Sequence, residues 1–132
     1  GMSRESCAAS LQRARDFFRK YFPDRNIRAV SCGSWIFNPE LEEILPAGAN
    51  LLAFQREIYL YPVASGPWDG LWFIFLKTGR PDASYPRNTD LQRRILQFIE
   101  SGRRWRCGGM LILLEDIDRF GTAFYRKNIP GS

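Results

Sequence analysis

The sequence predicts an α+β domain, on three observations. Residues 4 to 22 carry apolar side chains at three- and four-residue spacings, the signature of an amphipathic helix. Residues 51 to 63 alternate with a period of two, and residues 71 to 76 are apolar throughout, as strands are. Residues 89 to 102 carry helix start and stop signals and lead into a short apolar run at 110 to 114. The predicted order is helix, strand, helix, strand, strand, helix, strand, helix, which suits a mixed sheet of about four to five strands covered by helices. With 132 residues, 45% of them hydrophobic, residues 1–132 are expected to form one domain with a substantial core.

In the first helix Cys7, Leu11, Ala14, Phe18, Tyr21 and Phe22 form the apolar side, Ser3 is the expected N-cap and Pro23 ends the element. Ile27 to Cys32 reads as a short strand. It leaves through a loop, Cys32-Gly33-Ser34-Trp35, into a helix with a clear start: Asn38 as N-cap, Pro39 in the first turn and Glu40 against the helix dipole. Pro46 closes that helix. Along residues 51 to 63, Leu52, Phe54, Ile58 and Leu60 share one strand face, and Gly66, Pro67 and Gly70 mark a turn that would pair this run with Leu71–Leu76 as a hairpin. Gly79 to Asn88 is a loop long enough to be a lid. Thr89 and Gln92 make a capping box, Leu91, Ile95, Phe98 and Ile99 the buried stripe, and Gly102 the left-handed stop. Met110 to Leu114 is a strand, and a last helix is capped near Asp116.

Cys7, Cys32 and Cys107 are odd in number, lack metal-ligand spacing and have no histidine to complete a zinc set, so no metal and no disulfide framework is expected. No apolar run approaches the ~20 residues of a membrane span. The polar N-terminal stretch is unlike a signal peptide, so a cytoplasmic location is the expectation. The net charge of +5 is carried largely by arginine, whose fork suits phosphate and carboxylate. Nucleic acid is not the expected partner, because the one unbroken basic block is Arg103-Arg104-Trp105-Arg106.

Several stretches together carry a family resemblance. Cys32-Gly33-Ser34-Trp35 precedes an apolar pair and the Pro39-led helix. Leu45-Pro46 comes before Ala49-Asn50-Leu51-Leu52-Ala53-Phe54-Gln55-Arg56, and Asn88-Thr89-Asp90-Leu91-Gln92-Arg93 and Trp105-Arg106-Cys107-Gly108-Gly109 follow in order. From about Ser6 to Tyr125 the chain resembles the C-terminal, GNAT-like domain of bacterial two-domain acyltransferase-like proteins. The resemblance implies a GNAT-like mixed sheet, acyl-CoA or acetyl-CoA as co-substrate and transfer of the acyl group to an unknown amine. It also implies an N-terminal partner domain or a homodimer. The family's histidine is replaced here by Gly33. The alternative is a catalytically degenerate domain that serves as a protein-interaction or structural module.

The candidate nucleophiles are Cys32 and Ser34, the thiol and hydroxyl at the strand exit. Without histidine, a base or acid would be Glu57, Tyr59, Tyr61 or Tyr85. The candidate coenzyme A residues are Arg104, Arg106, Gly108 and Gly109, arginines for charge and glycines for close backbone approach. Their plain alternative is a tight helix-to-strand turn. A second candidate anion site is the helix start at Thr89, with Arg87, Arg93 and Arg94 nearby.

Overall fold

A computed structural model of the chain describes residues 3–127. The first helix, α1, spans Arg4–Tyr21. Ser3 caps it by accepting from the Ser6 amide, as expected, and Cys7 and Leu11 turn towards the body. The chain then enters β1 (Ala29–Ser34), a 3₁₀ turn over Trp35–Phe37 and the short helix α2 (Leu41–Ile44). Asn38 caps this region through its side-chain oxygen, which accepts from Glu40 N at 3.0 Å.

Two expectations fail in the middle of the chain. Residues 51 to 63 are not one strand: Asn50–Gln55 is a helix, α3, and only Tyr59–Tyr61 is a strand, β2. Leu71–Phe75 is a one-turn helix, α4, rather than the second strand of a hairpin. An all-apolar run of this length suits a strand or a buried turn of helix equally, and the choice falls to packing. Leu71 and Phe75, four residues apart, are buried on one side, while Trp72 and Phe73 face out. Leu71 and Phe75 pack into a helical core, and β2, the strand this run was expected to pair, has only β3 (Gly108–Leu113) as neighbour among the described residues.

The sheet therefore has three strands among the described residues, not four to five, in the order β1-β3-β2, and both pairings are antiparallel. Cys32 and Ser34 lie within β1 rather than in a loop after it. The register runs Ala29 opposite Leu113 to Ser34 opposite Gly108, and Tyr59 opposite Leu111 to Tyr61 opposite Gly109.

One face of this sheet carries Val30, Leu60, Met110 and Ile112 into a core completed by Phe37, Phe54, Ile58, Leu114 and Ile117. A second core is helical. It gathers Leu41 and Ile44 of α2, Leu71 and Phe75 of α4, Trp105, and Ile95, Leu96 and Phe98 of α5 (Asp90–Glu100). The helix α3 joins the two, sending Leu52 into one and Phe54 into the other. The capping box of Thr89 and Gln92 is present at the start of α5, and Gly102 takes the left-handed conformation after it.

The expected last helix is instead a 3₁₀ stretch, Leu114–Arg119, a turn, and a short helix α6 (Phe124–Lys127). The buried Glu57 carboxylate accepts from Gly121 N and Ala123 N and so pins this turn. The Gly79–Asn88 loop is pinned too: Tyr85 is buried against Phe75 and its hydroxyl donates to Gly79 O at 2.6 Å.

Candidate functional site

The site is built where β2 and β3 part. Pro62 follows the last residue of β2 and has no N–H to extend the ladder. On the other side Cys107 N donates to the Ser65 hydroxyl at 3.0 Å instead of to a strand. Between the separated chains is a cavity of about 220 Å³ lined by Pro39, Leu60, Tyr61, Pro62, Arg106 and Gly108, with Cys107 beside them.

Arg106 is the charged group of this wall. Its Nη2 lies 3.2 Å from Glu40 Oε1, at the start of α2, so the guanidinium is held in place across the cavity rim. The Glu40–Arg106 contact joins residues 66 positions apart, and nothing in the local pattern announces it. Glu40 reads in the sequence as a helix-start charge, and its second role is visible only in the fold.

Tyr61 is the polar group opposite. Its ring lies across Gly109, where a Cβ would come within 2.5 Å of the ring. That absence of a side chain lets the tyrosine reach over β3 to β1, where its hydroxyl meets Ser31 Oγ at 2.9 Å. Gly108 is equally close-packed, with space for a Cβ denied by the Phe37 carbonyl. Both glycines thus serve close approach, of protein backbone in one case and of an aromatic ring in the other.

The expected site residues divide. Arg106 and Gly108 line the cavity, and Gly109 lies under the tyrosine that lines it. Arg104 is exposed and directed to Ser65 O at 3.5 Å. Cys32 and Ser34 share the core-side register of β1, opposite Met110 and Gly108, and neither is among the cavity residues. Ser34 Oγ accepts from Ile36 N at 3.4 Å and caps the 3₁₀ turn. Cys107, which lines the cavity, has its thiol pushed up by burial, so it stays protonated and is a poor nucleophile.

Of the four groups offered as acid or base, two are committed elsewhere. Glu57 holds the C-terminal turn and Tyr85 holds the loop before α5, its phenol pushed up by burial. Tyr59 lines a separate cavity beside Arg126, and Tyr61 alone of the four lines this one. The helix start at Thr89 is also occupied. Gln92 Oε1 accepts from the amides of Asn88 and Thr89, Arg87 pairs with Glu100, and Arg94 pairs with Asp90 at 2.6 Å. The basic block is broken up likewise: Arg103 bonds Glu43 at 2.8 Å, and Trp105 is buried with its indole N–H on Asp69 O. No group of three or more potential metal ligands occurs among the described residues, and no described helix is long and apolar enough to cross a membrane.

This chain belongs to the family of the GNAT-like C-terminal domain, whose family model matches residues 1–111. Its fold is shared with solved acyltransferases. One is a mutant acyltransferase, orf11*, in complex with octanoyl-CoA, at 30% identity and a TM-score of 0.71 over 83% of this chain and 36% of that one. Another is an acyltransferase in complex with CoA and 10C-teicoplanin, at 31% identity and a TM-score of 0.72 over 83% of this chain and 36% of that one. A third, in complex with decanoyl-CoA and teicoplanin, is 32% identical with a TM-score of 0.68 over 80% of this chain and 34% of that one. The chain thus spans about a third of the length of the acyltransferases it matches. No curated protein matches it.

Proposed function

We propose that residues 1–132 form one GNAT-like domain that binds acyl-CoA in a bacterial, cytoplasmic N-acyltransferase. The observation that carries this reading is the cavity at the β2–β3 separation, with Arg106 and Tyr61 on its walls, in a chain about 30% identical to acyltransferases solved with acyl-CoA. A splayed strand pair admits a thin, mostly apolar arm, and the cavity volume suits a part of the coenzyme rather than all of it. Arg106, fixed by Glu40, meets a phosphate or the pyrophosphate by charge-assisted hydrogen bonds.

The reaction is direct transfer. The neutral acceptor amine attacks the thioester carbonyl, the C–N bond forms and the C–S bond breaks; the nitrogen gives up one proton to solvent and coenzyme A leaves as a thiolate that takes one up, so the exchange is proton-neutral. Tyr61 is the proposed donor of that proton, with the Ser31 hydroxyl 2.9 Å from its own to replace it. No covalent enzyme intermediate is needed, so Cys32 and Ser34 are not required as nucleophiles. The amine acceptor enters from outside the described cavity, and an N-terminal partner domain or a second subunit is the proposed source of its binding surface.

Calorimetric titration with coenzyme A and acetyl-CoA tests the reading. Micromolar, salt-sensitive binding is expected. Absence of binding at millimolar ligand would sink it and leave the second reading, a catalytically degenerate module. That alternative is favoured by one observation: the sheet has three strands among the described residues, fewer than the four to five expected.

A further inference from the structure

Buried polar side-chain atoms are ordinarily paired. Among the described residues, Asn38 Nδ2, Glu40 Oε2, Arg106 Nε and Arg15 Nε are buried without a hydrogen-bond partner. Arg15 Nε still has the Asp16 carboxylate 3.5 Å away. The other three atoms belong to one connected group. Asn38 Oδ1 accepts from Glu40 N at 3.0 Å, which fixes the orientation of the carboxamide, and Glu40 Oε1 lies 3.2 Å from Arg106 Nη2. The group backs on the cavity between β2 and β3. Pro39 and Arg106 line that cavity, and so does Gly108, whose Cβ would stand 3.2 Å from Asn38 N.

Asn38 Nδ2 and Arg106 Nε are donors, and Glu40 Oε2 is an acceptor. A ligand that completes the group must offer an acceptor to the first two and a donor to the third. A secondary amide does both, because its carbonyl oxygen has two lone pairs and its N–H donates once. Phosphate would serve the donors, but the Glu40 carboxylate repels it. An amine would serve Glu40 and leave both donors bare. We propose that Asn38, Glu40 and Arg106 form a binding site for a secondary amide at the edge of this cavity. The Arg106 side chain is 38% exposed, so a small turn of its fork brings Nε, and the Glu40 oxygen behind it, to a ligand in the cavity. Two sources offer such an amide: the pantetheine arm of coenzyme A, and the peptide groups of an acceptor. The site is read from the three atoms, and the acyl-CoA reading supplies one of its two sources.

NMR of the isotope-labelled chain tests this, through the Asn38 side-chain amide and the Arg106 Nε–H. N-methylacetamide, a bare secondary amide, is expected to move both signals to saturation. Inorganic phosphate and methylammonium at equal concentration should leave the Asn38 signal in place. An Asn38 signal that ignores N-methylacetamide, or answers all three probes alike, overturns the proposal. A shift with coenzyme A but not with adenosine 3′,5′-bisphosphate, which has no amide, assigns the pantetheine arm. A shift with a capped dipeptide assigns the acceptor. Coenzyme A that moves no signal sinks the acyl-CoA reading and leaves the amide site standing on N-methylacetamide. Glu40→Gln completes the test. Its carboxamide oxygen faces Arg106 Nη2, so its NH₂ meets the N–H of the ligand, donor against donor. Affinity for the amide is expected to fall about ten-fold, with no loss for the bisphosphate. Equal losses for both would make Glu40 a prop for Arg106 and remove it from the site.

Discussion

A Cβ on Gly108 would lie 2.0 Å from the carbonyl oxygen of Phe37, so the first residue of β3 rests directly on the backbone of the turn that follows β1. This contact sets the height at which Asn38, Pro39 and Glu40 stand over the cavity. Neither partner is the far end of a flexible side chain, so neither yields easily. Gly108→Ala is expected to cost at least about 3 kcal/mol, the upper part of the range for overpacking. Gly33→Ala is the control: its Cβ would meet nothing nearer than 3.9 Å, and urea melts should show little change.

Gln55 closes the same turn from the other side. It is buried, and its carboxamide donates to Ile36 O at 2.8 Å and Asn38 O at 3.0 Å. Gln55→Leu keeps the bulk and leaves two carbonyls without their donor. A loss of about 2–4 kcal/mol is expected, since each stranded buried acceptor costs about 1–3. Gln55→Glu should be worse, because it adds a buried charge. Chemical denaturation of the three proteins measures both.

Arg106→Ala should weaken coenzyme A binding by ~1–3 kcal/mol while leaving the melt nearly unchanged, because its ion pair with Glu40 is partly exposed. Arg106→Lys should recover only part of the affinity, since a point charge replaces a fork. An Arg106→Ala protein that binds as tightly as the parent would remove this residue from the site.

Tyr61→Phe keeps the ring over Gly109 and removes the hydroxyl. Turnover is expected to fall about 100-fold with little change in KM, the split produced by losing an acid that acts only in the transition state. Ser31→Ala should have a smaller effect in the same direction. Equal loss in kcat and in coenzyme A affinity would mean that Tyr61 binds rather than reacts.

Tyr125 offers a test by pH. Its hydroxyl accepts from Leu113 N at 2.9 Å and donates to Asp116 at 2.7 Å. Burial in the first place, and then the Asp116 carboxylate, push the phenol up to about 12. An unfolded tyrosine loses its proton near about 10. Between these values the unfolded chain holds fewer protons, so this contribution is complete below about 10 and is lost as pH rises towards about 12. Wild type should therefore lose more stability than Tyr125→Phe between about pH 9 and about pH 11.5, measured by urea unfolding.

The helix ends were legible because capping is a local affair. Ser3, Thr89 with Gln92, and Gly102 act within four residues of themselves as expected, whereas Asn38 bonds Glu40 N but the N-cap of α2 is Glu40. The order of the apolar segments and the motifs around Trp35, Gln55 and Trp105 were enough to place the chain in its family. The run 71 to 76 was not legible, because a short apolar segment suits a strand and a buried turn of helix equally. The burial of Leu71 and Phe75 in the helical core decided it. The sheet lost its expected strands for the same reason.

By itself, then, the sequence determined the class, the family and the starts of the first helix and of α5. Tertiary structure alone decided the rest. It paired Glu40 with Arg106, laid Tyr61 over Gly109 to reach Ser31, and withdrew Glu57 and Tyr85 from chemistry by giving them backbone to hold. Each of these relationships, apart from the Tyr85 loop, joins residues that are far apart in the chain. Capping and periodicity act over one or two turns, whereas a cavity is made by whichever distant segments the two cores bring together.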